Sequence, residues 1–108
     1  MSKFRKPTPE EVRRRRATLA DRARAGDLLL PGAVRDMRMA LGLSQDVFAR
    51  MLKLTRRQLA EIERGKANPT AETLERIGKV FGFTLGFVPA ERPAPARSRT
   101  GEERSFQD

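Results

Sequence analysis

SQDVFARMLKLTRRQLAEIERG, residues 44–65, reads as two short amphipathic helices joined by a tight turn. Val47, Phe48 and Leu52 place apolar groups on one side of the first helix beside the small Ala49. Leu59 and Ile62 repeat three apart in the second, so the two helices share one apolar seam. Ser44 followed by Gln45 and Asp46 gives the first helix a cap and an early carboxylate. Thr55 followed three residues later by Gln58 fits a capping box for the second. Lys53-Leu54-Thr55 is then the whole linker, and a connection so short makes the helices cross steeply around Ala49, where a larger side chain would hold them apart.

The second helix is left with Arg56, Arg57, Gln58, Glu61 and Arg64 pointing outward. A guanidinium fork can bind two acceptors on guanine, Gln can pair with adenine, and Glu can accept from cytosine N4, so this face has the chemistry of base reading in duplex DNA. The bland alternative is a set of solvated charges on a small helical bundle.

Leu43-Ser44-Gln45, Ala49, Thr55, Leu59, Ile62-Glu63 and Gly65, running on into Lys66-Ala67-Asn68-Pro69-Thr70, resemble the Cro and phage-repressor (xenobiotic-response-element) type helix-turn-helix over about residues 33–88. The resemblance implies a mainly α, four-helix-type repressor domain. It also implies a role for Gln45 in holding the phosphate backbone and bracing the second helix, base-reading positions at Arg56, Arg57 and Glu61 beside Thr55 and Gln58, and backbone contacts from Arg64, Lys66 and Asn68. The sequence departs from the family at Lys53, where Gly usually takes the left-handed position of the turn; a non-Gly residue there costs on the order of 1 kcal/mol.

Composition narrows the classes. The 108 residues carry 23 Lys+Arg against 14 Asp+Glu, a net charge of +9, which suits a polyanionic partner. Residues 1–25 hold nine basic groups and three acidic ones, so most of the excess is N-terminal. There is no Cys and no His, so thiolate and imidazole metal sites and the usual general bases are missing and no cofactor is expected. Glu61, Glu63, Glu72 and Glu75 are spaced as on solvated helices, and an enzyme is not expected. A basic RNA-binding protein is the competing class. It would lack an aromatic stacking platform, since all six aromatics are Phe and Phe48, Phe81, Phe83 and Phe87 fall on apolar faces. No apolar run is long enough for a membrane span, and a soluble cytoplasmic protein is the expectation.

Working outward, Thr8-Pro9-Glu10-Glu11 starts a helix from about 9 to 25 that carries Arg13 to Arg16, Arg22 and Arg24. Its apolar stripe is only Val12, Leu19, Ala20 and Ala23, which suits a free or loosely packed basic leader over residues 1–29, solvated or touching phosphates. The main domain, residues 30–88, adds a helix over about 32–41 with Val34, Met37 and Leu41 inward and Arg35 and Arg38 outward, and a helix over 71–81 with Leu74, Ile77, Val80 and Phe81 inward. Phe83, Leu85 and Phe87 then alternate with Thr84, Gly86 and Val88, the period of a strand. No second strand of that quality exists, so the expected partner is the same strand of a second copy, making a homodimer on a palindromic operator. The alternative is an apolar tail tucked against its own helices. A helix followed by an apolar strand ending in Val-Pro also resembles the HipB-like antitoxin branch, which implies a toxin protein as a further partner. Residues 89–108, with Pro89, Pro93 and Pro95 among small and charged residues, are expected to be a disordered tail.

Overall fold

A computed structural model describes residues 5–90, which form five helices: α1 (Pro9–Arg24), α2 (Gly32–Leu41), α3 (Gln45–Met51), α4 (Arg56–Glu63) and α5 (Ala71–Lys79). Four of them start on a hydroxyl that accepts from a backbone N–H one turn in: Thr8, Ser44, Thr55 and Thr70. Such caps contribute about 1 kcal/mol each. At Thr8 and Thr55 the box is complete, because Glu11 and Gln58 accept in return from the cap's own N–H.

The helix ends share one device. Gly26, Gly42, Lys53, Gly65 and Gly82 all take positive φ, and the N–H groups that follow turn back to carbonyls of the last turn, as Leu54 does to Ala49 at 2.8 Å. Lys53, at φ 61, fills with a side-chain-bearing residue the position that Gly holds in the other four. Lys53→Gly should therefore raise stability, by up to about 1 kcal/mol less the extra chain entropy Gly brings to the unfolded state. A thermal melt showing no gain, or a loss, would refute the strain argument.

The core is built from Val34, Phe48, Leu52 and Leu59, all at most 1% exposed, with Ala49, Met37, Ile62, Ile77 and Phe81 around them. Val47, expected on the seam, is 39% exposed instead, since it lies one position off the line that buries Phe48 and Leu52. Arg76 of α5 donates to the Leu52 carbonyl and so ties the end of α3 to α5.

α1 is docked and not a free leader. Leu19 enters the common core, and the arginines do the remaining work. Arg16 donates to the Val80 carbonyl at 3.2 Å while its guanidinium lies 5.1 Å from the centre of the Phe81 ring. Arg15 reaches the Met39 carbonyl at 3.3 Å, and Arg22 pairs with Asp36 at 3.1 Å. Just ahead of the helix, Pro7 rests on Gly42, where a Cβ would stand 2.3 Å from the ring's Cδ; Gly is required there for contact as well as for its φ of 69.

The expected C-terminal strand is not formed. A strand needs a ladder partner, none of the described residues supplies one, and the Phe83 N–H is already bound to the Gly78 carbonyl in closing α5. Phe83 turns inward and stacks on Phe81 with 5.8 Å between ring centres, whereas Leu85 and Phe87 stand exposed. Of the tail expected to be disordered, residues 91–108 lie outside the described residues.

Candidate nucleic-acid interface

Arg38 and Glu63 form the polar centre of the fold and set the position of α4. The side chains, 11% and 4% exposed, meet in a bidentate pair with Arg38 Nε 2.7 Å and Nη2 3.0 Å from the two Glu63 oxygens. Arg38 Nη1 also donates to the Leu43 carbonyl at 2.9 Å, and Gln45 Nε2 donates to Glu63 Oε1 at 3.0 Å. Helices α2, α3 and α4 are thus pinned at one point. Burial pushes the Glu63 carboxyl up, but the hydrogen bonds from Arg38 and Gln45, with the charges of Arg38 and Arg35, outweigh it and hold the group below its ordinary value.

This overturns two expectations, Arg38 facing outward and Glu63 on a solvated face. Spacing carried the signal: Glu63 follows Leu59 by four and Arg38 follows Val34 by four, so both fall on inward faces. Opposite charges on the core sides of neighbouring helices are a buried pair in waiting.

With its inner side fixed, α4 presents Arg56, Arg57, Gln58 and Arg64 to solvent, with Glu61 half-buried beside them. Arg57 Nε is 3.2 Å from Glu61 Oε2, which holds the guanidinium by one edge and leaves both terminal amines without a partner among the described residues. Arg56 lies 3.8 Å from Asp46, at the start of α3. The Gln58 side-chain carbonyl is taken by the Thr55 N–H at 2.8 Å, and Thr55 Oγ1 by the Gln58 N–H at 3.0 Å. Gln58 can therefore offer its amide donors to a base, while one lone pair of its carbonyl is committed to the cap. Lys66 and Asn68 are exposed on the loop after α4, where Gly65 packs against the Pro31 ring. The fold thus brings Arg56, Arg57, Gln58 and Glu61 onto one helix with Arg64 as its C-cap, and places Lys66 and Asn68 just beyond its end.

Two capped helices around a short left-handed turn, the second standing proud with a polar outer face on a pinned base, define a helix-turn-helix domain. A helix-turn-helix family model matches residues 34–88, half of the chain, and the chain belongs to that family. It is a family of DNA-binding domains and not of enzymes. Comparison with curated proteins and with solved structures gave no match. No helix among the described residues is long and apolar enough to cross a membrane, and no group of three or more potential metal-binding side chains occurs among them.

Proposed function

We propose that the chain is a sequence-specific transcriptional repressor that acts as a homodimer, with α4 lying in the major groove of each half of a palindromic operator. The observation that carries this reading is Arg57, held at one edge by Glu61 with the other edge unpartnered among the described residues, on a helix whose opposite face is locked by Arg38, Glu63 and Gln45. Arg56, Arg57 and Glu61 read base edges, with Thr55 and Gln58 at the helix start. Gln45, Arg64, Lys66 and Asn68 fix the register on phosphates.

The biological setting we infer is an autoregulating antitoxin, on the resemblance of the helix and apolar segment before Pro89 to the HipB-like branch. Co-purification of an untagged protein from the same operon supports that setting; a chain that binds operator and retains no such partner is a phage or metabolic repressor.

The deciding experiment is fluorescence-anisotropy titration of the DNA upstream of the chain's own gene against a shuffled duplex of equal length, across about 50–200 mM salt. The expected result is a preference of roughly a thousandfold or more that persists at the higher salt. Equal affinities that collapse together would reduce the chain to a basic polyanion binder.

A further inference from the structure

On the side of the fold formed by the α1–α2 link, α5 and the C-terminal segment lies a groove of about 530 Å³. Its walls are apolar: Leu28, Leu30, Ala33 and Ile77 among them, with Leu85 from the segment after α5. On its rim stands Phe87, fully solvent-exposed at 104%, with Leu30 at 52% and Leu85 at 45% close by. A bare phenyl ring beside an open aliphatic groove is a knob and a hole on one face.

We propose that this face is a self-complementary interface in which Phe87 of each of two copies enters the groove of the other, against Leu30. The inference rests on the homodimer reading above and gives it a contact mode other than strand pairing. Three features select a second copy as occupant. A two-fold interface needs donor and acceptor surfaces on the same patch of one chain, which this face supplies. Five of the eight large hydrophobic residues exposed among the described residues, Leu29, Leu30, Leu85, Phe87 and Val88, gather on this one face, a concentration that suits the burial of about 1,000 Å² or more that a specific pair needs. The patch is also continuous with the DNA-facing loop, because Leu30 adjoins Pro31 and the Pro31 ring packs on Gly65, next to Lys66. Two copies joined there would hold both loops beside the seam. The anchoring of Phe83 on Phe81 fits this mode and not a ribbon, since it removes the first residue of the expected strand face.

The chain has no Cys, so single cysteines report contacts without background. Leu30→Cys and Phe87→Cys are made on separate full-length chains, mixed, and oxidised mildly with oxidised glutathione. Mass spectrometry should then show the mixed Leu30–Phe87 disulfide as the dominant cross-link. Phe87→Asp should leave the far-UV circular dichroism unchanged and weaken self-association by about 100-fold or more in light scattering. Dominant Phe87–Phe87 cross-links would overturn the exchange in favour of a ribbon. A Phe87→Asp chain that remains a dimer, or that loses an operon-encoded protein in place of its second copy, would also overturn it. In each of these cases wild-type dimer bound to operator leaves the repressor reading standing; a wild-type monomer on operator sinks the dimer and the exchange together.

Discussion

Arg38→Ala should destabilise the fold by about 3–5 kcal/mol, because it strands the Glu63 carboxylate in the core without its bidentate partner. That is a large share of the total for a domain of this size, so the variant should be mostly unfolded at modest urea, read by circular dichroism. Arg38→Met combined with Glu63→Leu should recover most of the loss, since apolar groups of similar size leave no charge unpaired. The pH dependence separates this mechanism from lost packing. In the folded wild type the Glu63 pKa lies below its ordinary 4.5. The pair's contribution is therefore complete above about 4.5 and is lost as pH falls through the lower folded value. Without Arg38 the largest remaining influence is burial, which acts in the opposite direction, so as pH falls toward 4.5 the variant should gain stability while Glu63 is neutralised. A variant whose urea midpoint follows the wild type's without that gain would show that the charge pair is not the cause.

Arg57→Ala is expected to have the largest effect on DNA. One bidentate contact to a guanine is worth about 1–3 kcal/mol of discrimination, and in the proposed homodimer the substitution removes it from both half-sites, so operator affinity should fall by roughly 30-fold to 20,000-fold. Binding to a shuffled duplex should change far less. The preference at one base pair in each half-site should relax, which a set of singly substituted operators measures directly. Lys66→Ala is the contrasting case: it should weaken all duplexes alike and flatten the salt dependence by about one counterion per copy. If Arg57→Ala left both affinity and base preference unchanged, α4 would not be the reading helix.

The helix boundaries and turns were open to reading because they are set by local chemistry. Thr8, Thr55 and their Glu11 and Gln58 partners satisfy backbone groups within four residues, and Lys53 stands out as strained because it occupies the turn position at which the resembled family has Gly. Contacts across the fold were another matter. α1 appeared too thinly apolar to pack, but Arg15 and Arg16 find the Met39 and Val80 carbonyls, acceptors that no hydrophobic period reveals. Glu63 and Arg38 were assigned to water on charge alone, although their spacing from Leu59 and Val34 pointed inward. The C-terminal segment alternates like a strand, but whether it becomes one depends on a partner outside the chain. At the candidate interface, the residue types on α4 were legible from their spacing. The pairing of Arg57 with Glu61 required coordinates.

Arg16 spans 64 residues to reach Val80, the widest separation joined by a side-chain hydrogen bond among the described residues. Closing so long a loop costs more entropy than forming the neighbouring helix pairs, so this tie belongs to the last stage of folding. Interactions absent from the transition state act on escape from the native basin and leave the rate of entry nearly unchanged. The arginine that fastens α1 across the end of α5 should therefore work as a latch: Arg16→Ala is expected to speed unfolding in stopped-flow kinetics and to leave the folding rate nearly unchanged.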